Sequence, residues 1–289
     1  MIRLRRPVPP SDFDALVQDA REKVRRTLDE AGELKEKDFP CNGWRRFKRA
    51  FEGPSTRDTK CMYCEGDPRA CASLEMDHYR PKTALTELPP LAASVPRCVV
   101  APADRGTARE VARPGYWWLA YTWENWVLTC ERCNGHYKGN LFPCAGGTPR
   151  RVTQGCEARE SPLLLNPFDD DPEEHLSFDD EGYILAKTTR GAETIRTCGL
   201  HRDVLQRARF FVAAHVGELI DAYGEAVTQR ERDELLARIR ALGASERPFA
   251  GMVRSIVWGY LGMPSDVHFF DVEPRVDVAR SSVGGSQIP

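Results

Sequence analysis

The sequence lacks any long apolar run. No stretch of its 289 residues approaches the ~20 consecutive apolar residues that a membrane-spanning helix requires. The basic N-terminal residues MIRLRRPVPP are not followed by the apolar segment of a signal peptide. With 41% hydrophobic residues, the chain can bury a substantial core in one large or two modest domains. These features lead us to expect a cytoplasmic location.

The sequence also lacks the common nucleotide-binding and hydrolase motifs. There is no Walker A sequence, no G-x-G-x-x-G fingerprint and no nucleophile elbow, so we expect no ATPase or dinucleotide activity of its own. A strong basic excess is absent as well, because the formal net charge is −2. Any attraction to nucleic-acid phosphates must therefore be local.

Four of the ten cysteines form two CxxC pairs, Cys61 with Cys64 and Cys130 with Cys133. Two such turns can complete a closed tetrahedral site for a structural Zn²⁺. The interval between the pairs exceeds the roughly 15 to 20 residues usual in compact zinc ribbons, so the metal would join the two ends of a long excursion. A redox pair and buried thiols are the alternatives, although a redox CxxC normally begins a helix in a βαβ unit, a context that this stretch lacks.

The other cysteines share no common spacing, and we expect them to be reduced thiols. They are Cys41, Cys71, Cys98, Cys144, Cys156 and Cys198. A second metal site built from Cys144 and Cys156 is an open alternative.

The excursion between the pairs, together with Asn134 directly after the second pair, contains polar residues suited to phosphodiester hydrolysis, which needs an activated water and a Lewis acid. His78 can act as the base, since its ordinary pKa is near neutrality. Asp77 and Asn134 offer oxygen ligands for Mg²⁺ or a similar ion. Asn125 can orient the His78 ring through a hydrogen bond.

The secondary structure around these residues follows from local patterns. We predict a short strand from Leu74 that ends before Pro81 and strand character in residues 117–121 and 126–128. A short helix over residues 133–140 should end near Gly139. A strand, a strand and a helix would thus be pinned by zinc.

The quoted motifs resemble the HNH endonucleases of the ββα-metal group. The matching pieces are CxxC, then DHYRP at residues 77–81, then N-x₄-CxxCN-x₃-K from Asn125 to Lys138. The resemblance implies that His78 is the general base, that Asp77 and Asn134 bind the catalytic metal, and that Asn125 is the central N of the name. Asn134 stands where many members have His, which favours Mg²⁺ or Mn²⁺ over Zn²⁺ at that site. His136 and Lys138 are either phosphate contacts or surface residues.

A longer set of segments narrows the resemblance. The runs KCMYCE, MDHYRPK, GYWWLAYTWENWVLTCERCNGHYKGNLFP and LLLNPFDDDPEEHLSFDDEGYI resemble the PtuB-type HNH proteins of Septu and retron-associated antiphage systems. The similarity covers the chain from about residue 44 to residue 209. It implies a defence effector that acts beside an ABC-type ATPase of the PtuA kind.

The remaining segments complete a predicted α+β protein in which helical N- and C-terminal extensions flank the nuclease core. Residues 1–60 form a helical extension whose first helix is capped by Ser11; residues 61–145 form the core, with an irregular insertion loop at about 84–115. A hairpin and helices follow over residues 146–262, and the composition of residues 263–289 predicts disorder.

Basic residues near the dyad are candidate nucleic-acid contacts. The segment GWRRFKRAF predicts an amphipathic helix whose apolar residues Trp44, Phe47 and Phe51 face the core, and its basic residues are either solvated or turned to DNA. The candidate contacts are Arg45, Arg46, Arg80, Lys82, His136 and Lys138.

These observations favour a divalent-metal-dependent endonuclease that acts on DNA. Cleavage of RNA, particularly tRNA, is the second interpretation within the same chemistry. A zinc-ribbon scaffold that binds nucleic acid or a partner without cleaving is the alternative of another class, although a ribbon needs the cysteines but not the Asp-His dyad.

Overall fold

The protein is a mixed α+β structure in which short sheets are surrounded by helices, as a computed structural model shows. The structure describes residues 1–52, 60–68, 73–91, 105–261 and 269–270. The helices within those ranges are α1 Phe13–Ala31, α2 Asn42–Arg45, α3 Lys48–Phe51, α4 Thr189–Cys198, α5 Asp203–Glu225, α6 Gln229–Leu242 and α7 Ala250–Leu261. The strands are β1 Leu74–His78, β2 Leu85–Glu87, β3 Arg109–Ala112, β4 Trp126–Cys130, β5 Leu176–Phe178 and β6 Ile184–Ala186. They pair as β1 with β4, β2 with β3 and β5 with β6, each antiparallel.

The β1–β4 pair forms the centre of the fold. Its register places Leu74 opposite Cys130 at one end and His78 opposite Trp126 at the other. Every residue of β4 is buried, as expected for a strand rich in β-branched and aromatic residues that is covered on both faces. A seven-residue π-helix, Arg132–Lys138, follows β4 almost directly and ends at Gly139. The prediction of a strand, a strand and a helix is confirmed for β1, β4 and this helix.

The N-terminal helices cover one side of the central pair with aromatic rings. Phe13 of α1 meets both Trp123 and Trp126 edge to face at 5.2 and 5.6 Å between ring centroids, and Phe47 stacks on Trp126 at 5.8 Å. Phe51 packs against Trp123 at 4.8 Å. Such aromatic pairs stabilise a core beyond the area that they bury. The predicted inward face of the GWRRFKRAF segment is confirmed, although the segment forms two short helices.

Two local predictions were wrong. Asp12, and not Ser11, precedes the first helical residue, and its side chain makes no capping bond. Residues 117–119 form a 3₁₀ turn and not a strand. The side chains of this turn pack against the hydrophobic core, and its Leu119 carbonyl accepts from the Asn125 side chain. Their aromatic character therefore reflects packing and not sheet pairing.

The insertion between the two halves of the core has some regular structure. Strands β2 and β3 pair across it, with a register irregularity between Leu85 and Thr86, so the prediction of an irregular loop at 84–115 was wrong for these residues. Residues 92–104 lie outside the described part. The chain returns to the core after Gly115, whose added Cβ would lie 2.4 Å from the Pro81 carbonyl oxygen. Only glycine allows that approach.

The C-terminal region packs a hairpin and helices against the core. The predicted hairpin around residues 180–182 is confirmed by β5 and β6, and the predicted helical region is confirmed by α5, α6 and α7. The tail prediction for residues 263–289 lies outside the described residues, apart from 269 and 270. Among the helices that the structure describes, none is long and apolar enough to cross a membrane.

Candidate functional site

The four paired cysteines converge at one end of the central strand pair. Cys61 and Cys64 lie in a turn held to β4 by the bond from the Met62 N–H to the Leu128 carbonyl, 2.9 Å. Cys130 ends β4, and Cys133 lies in the first turn of the π-helix. All four side chains are buried, and their Sγ atoms lie within 4.8 Å of one another.

This donor set fits a tetrahedral zinc site. A Zn–S distance of about 2.3 Å places sulfur atoms roughly 3.8 Å apart at the corners of a tetrahedron, and the Cys64 and Cys130 Sγ atoms are 4.0 Å apart. Four buried thiolates would complete the coordination shell, so such a metal stabilises the fold and leaves no position for substrate. The cysteines predicted from spacing are therefore brought together.

Arg202 lies beside the cysteine cluster and was not predicted. Its Nη2 donates toward the Cys133 sulfur at 3.5 Å and the Cys130 sulfur at 4.0 Å. Its guanidinium also lies over the Tyr137 ring, 5.5 Å from the centroid. A positive charge at this distance offsets part of the negative charge of four thiolates and orients two of them. No spacing rule links Arg202 to the CxxC pairs, because it reaches them from the start of α5.

His78 lies at the opposite end of the same strand pair. It lies four residue steps along β1 from Leu74, the residue opposite Cys130, which corresponds to roughly 13 Å along a strand. There it lines a cleft of ≈ 550 Å³ together with Asp77, Asn134, Trp44 and Lys82. The cysteine cluster and this cleft are thus separate sites joined by the β1–β4 strand pair.

The His78 ring is fixed by two contacts. Its Nε2 lies 2.8 Å from the Ala120 carbonyl oxygen, and since a carbonyl only accepts, Nε2 carries the proton and Nδ1 keeps its lone pair. The ring also meets Trp44 edge to face, 4.8 Å between centroids. Burial, together with the positive charge of Lys82, lowers the pKa of His78 well below its ordinary value. The imidazole is therefore neutral at neutral pH.

Lys138 is buried and paired with Asp77. Its Nζ donates to Asp77 Oδ1 at 3.0 Å and to the His78 carbonyl at 2.7 Å, and its side chain is 0% exposed. The prediction of Lys138 as a phosphate contact or surface residue was wrong, because its ammonium is held inside the protein by these acceptors. Burial raises the pKa of the Asp77 carboxyl, while the Lys138 charge opposes that rise.

The second oxygen of Asp77 is buried without a partner. Among the described residues, nothing hydrogen-bonds to Asp77 Oδ2. A buried carboxylate oxygen without a partner is costly, and a divalent cation or an ordered water would satisfy it. Asn134 lines the same cleft, and its amide donates to the Glu75 carboxylate at 3.0 Å. This set of oxygens fits a hard cation such as Mg²⁺.

Asn125 does not contact the His78 ring, so the predicted hydrogen bond between them was wrong. Its Oδ1 accepts from the Arg80 N–H at 2.8 Å, and its Nδ2 donates to the Arg80 and Leu119 carbonyls, both at 3.1 Å. Its carbonyl also accepts from the Tyr79 N–H at 2.8 Å. Asn125 therefore joins the chain that follows His78 to the loop that carries the Ala120 carbonyl, and positions the ring indirectly.

The candidate nucleic-acid contacts separate into two groups. Arg45 is exposed and lines the cleft, as does Lys82. Arg80 is paired with Glu160, is stacked near the Tyr116 and Phe142 rings and does not line the cleft, so its contact with nucleic acid stays a prediction. Arg46 and His136 are exposed but do not line the cleft. Lys48, one of the basic residues of the GWRRFKRAF segment, also lines the cleft. Glu36 and Glu75 line it and were missed, since only folding brings them to the dyad.

A second metal site at Cys144 and Cys156 finds no support in the described part of the chain. The paired cysteines are the one group of three or more metal-binding side chains found there. Cys156 instead approaches Glu160, 3.1 Å between Sγ and Oε1, and burial raises the pKa of Cys144 to about 12. Cys71 and Cys98 lie outside the described residues.

Comparison with known proteins gives two relatives. The chain is 34% identical over 172 residues to the Septu protein PtuB of Bacillus mycoides strain KBAB4. These aligned residues cover 59% of this chain and 50% of the relative. The chain is 26% identical over 175 residues to the Septu protein PtuA of the same strain, which covers 60% of this chain and 21% of that relative. The chain thus spans about half the length of the first relative and about a fifth of the second. No protein-family model matches the chain.

Proposed function

We propose that the protein is a divalent-metal-dependent HNH endonuclease that hydrolyses DNA phosphodiester bonds. The observation that carries the proposal is the arrangement of the dyad. His78 is held neutral with Nε2 on the Ala120 carbonyl, and beside it the buried Asp77 Oδ2 has no partner among the described residues. A base with a free lone pair next to an unsatisfied carboxylate oxygen in an open cleft is suited to activating water near a metal-bound phosphate.

Each side chain has a distinct role in this reaction. His78 Nδ1 accepts the proton of the attacking water, and the Ala120 carbonyl stabilises the imidazolium that results. Asp77 Oδ2 and the Asn134 amide oxygen would hold the divalent ion, which supplies charge stabilisation for the phosphate. Because the Asn134 amide lies on Glu75, Glu75 fixes which way the amide oxygen faces. Asn125 acts as a positioning residue.

Cleavage of supercoiled plasmid tests this proposal. Wild-type protein with Mg²⁺ or Mn²⁺ should convert plasmid to nicked or linear forms, and His78→Ala should lower the rate by about 10²-fold or more while the zinc content stays unchanged. His215→Ala is the matched control, because that histidine is exposed on α5. Cleavage at the wild-type rate by His78→Ala would rule out His78 as the base. A structured RNA in parallel distinguishes the substrates.

A non-catalytic scaffold is the second candidate, favoured by the closed cysteine site. A scaffold of this kind keeps its biological effect when His78 is replaced, whereas a nuclease loses it. The same His78→Ala protein therefore separates the two functions.

We further propose that the chain is an antiphage effector that acts with a PtuA-like ATPase. The similarity to the Septu proteins PtuB and PtuA supports this role. Co-expression with a PtuA-like ATPase should give a complex on size-exclusion chromatography, and phage plating should fall only when both proteins are present. Full protection by either protein alone would contradict the proposal.

A further inference from the structure

The cleft holds a carboxylate that no step of the proposed reaction uses. Glu36 belongs to a short 3₁₀ turn, Glu36–Asp38, and lines the cleft with His78. Its Oε1 accepts from Lys82 Nζ at 2.7 Å, and its Oε2 accepts from the Thr83 hydroxyl at 2.7 Å. One anion thus uses both of its oxygens on two donors that directly follow the dyad segment.

The two sides of this contact differ in burial. The Lys82 side chain is 11% exposed, whereas the Glu36 side chain is 69% exposed, and Thr83 is buried. The Lys82 ammonium is also held over the Phe39 and Trp44 rings, 5.4 and 5.2 Å from their centroids. Lys82 is therefore a fixed part of the cleft wall and Thr83 is buried directly after it, while the acceptor is a solvent-facing side chain that can leave at little cost.

The fixed donors suit a phosphate as well as a carboxylate. A charged nitrogen and a hydroxyl that bind two oxygens of one anion can bind two oxygens of a phosphate, and hydrogen bonds to such anions are among the stronger ones. Their position is also appropriate, because Lys82 lines the same cleft as Asp77 and His78. A phosphate held there lies next to the dyad.

We propose that Lys82 and Thr83 form a subsite for a phosphate of the nucleic-acid backbone, and that the Glu36 carboxylate occupies this subsite in the free protein. The inference rests on the proposed nuclease function and adds to it a side chain that competes with the substrate for its binding site. Nucleic acid enters the cleft only by displacing Glu36, so this side chain lowers affinity for any strand and disfavours weakly bound ones. The Lys82 charge is then exchanged from carboxylate to phosphate.

The exchange predicts a specific effect on DNA binding. In a His78→Ala background with Mg²⁺, a fluorescein-labelled DNA duplex titrated by anisotropy should bind about 5-fold more tightly to Glu36→Gln, the amount that an exposed ion pair of about 1 kcal/mol represents. The slope of log affinity against log salt should stay unchanged, because Lys82 neutralises the same phosphate in both proteins. Adding Lys82→Gln should remove the gain in affinity and make the slope shallower by roughly 0.9, because that phosphate then loses its cation.

Glu33→Gln is the matched control. Glu33 is exposed and pairs with Lys35, so the same charge change three residues away should leave affinity and slope unchanged. If Glu36→Gln behaves like Glu33→Gln, binds more weakly, or shows no binding at all, the subsite is wrong and Glu36 only anchors its turn.

Plasmid cleavage by the same substitutions, made in protein that keeps the wild-type His78, tests the phosphate subsite and the nuclease function separately. Tighter binding by Glu36→Gln without any plasmid cleavage retains the phosphate subsite and overturns the nuclease. Plasmid cleavage without a binding change retains the nuclease and overturns the subsite.

Discussion

The two ends of the β1–β4 pair differ in how completely their polar groups are satisfied. At the Cys130 end, four buried sulfurs fit one tetrahedral metal, and Arg202 adds a cation to two of them. At the His78 end, an oxygen of Asp77 is buried without a partner in the described structure, and the side chains face an open cleft. A closed set of ligands stabilises, whereas an incomplete one can bind and react. One antiparallel pair of five-residue strands therefore separates a site that fits a structural metal from a cleft with an unsatisfied oxygen.

The largest expected effect comes from disrupting the cysteine cluster at the Cys130 end. Cys64→Ser removes one of four zinc ligands, and because structural zinc contributes folding free energy directly, on the order of 10 kcal/mol in zinc-binding peptides, we expect loss of bound zinc and of cooperative unfolding. Zinc content by atomic absorption and thermal unfolding by circular dichroism provide the measurement. Cys41→Ser is the control, since that thiol is exposed. A zinc-free variant with the wild-type Tm would show that the cluster holds no structural metal.

The next effect breaks the buried ion pair at the His78 end. Lys138→Met leaves the Asp77 carboxylate unpaired inside the protein, which should lower the free energy of unfolding by about 3 to 5 kcal/mol. Urea titration measures it, with the exposed Lys23→Met as control. The double variant with Asp77→Asn should recover part of the loss, because no charge then remains to be paired. An unchanged midpoint for Lys138→Met would mean that Asp77 is protonated in the folded protein.

A smaller effect follows from removing the link between the segment after His78 and the loop that carries Ala120. Asn125→Ala leaves the Arg80 N–H and the Arg80 and Leu119 carbonyls without these bonds, and we expect a loss of about 2 kcal/mol in unfolding free energy. Zinc content should not change, since the cysteines lie at the other end. Urea titration beside Gln18→Ala, an exposed position, tests this. Loss of zinc would show that the two ends are not independent.

The smallest expected effect is a shift in pH dependence. Burial, with Lys82, lowers the pKa of His78, so the neutral base persists below the ordinary value of about 6.5. The acid limb of cleavage should accordingly lie below pH 6.5, with the rate retained above it and lost as the pH falls through the folded-state pKa. Single-turnover rates measured across this range give the midpoint. An acid limb above pH 6.5 would contradict a buried neutral His78.

The contribution of His78 to folding stability should fall with decreasing pH, in the same direction as the cleavage rate. Its folded-state pKa is lowered, so the unfolded chain binds the proton more readily and folding is favoured fully above the unfolded pKa. That contribution declines as the pH falls through the folded-state value. Thermal unfolding at several pH values separates this loss from the loss of catalysis.

The sequence predicted the features that depend on local spacing. The two CxxC pairs, the strand that bears Asp77 and His78 and the following helix were all recoverable, because cysteine spacing and strand patterns act over a few residues. The burial of Lys138 was not, since its partner Asp77 lies sixty-one positions away. The same applies to Arg80 and Glu160, which are eighty positions apart. A basic residue near a motif is easily interpreted as a surface contact from the sequence, because the acidic residue that pairs with it is distant in sequence and is identified only in the folded structure.

The contacts of Glu36 and Arg202 were also invisible in the sequence. Each reaches its site from an element with no motif of its own, a 3₁₀ turn for Glu36 and the start of α5 for Arg202. The strand predicted at Trp117 and its neighbours was wrong for a related reason. Aromatic residues favour strands but pack equally well in a turn, and tertiary contacts decided between the two.

The short π-helix connects the two ends mechanically. Within seven residues it carries Cys133 at the metal cluster, Asn134 at the cleft and Lys138 beneath Asp77. The position of Lys138 against Asp77 therefore depends on how firmly the cysteine end of this helix is held.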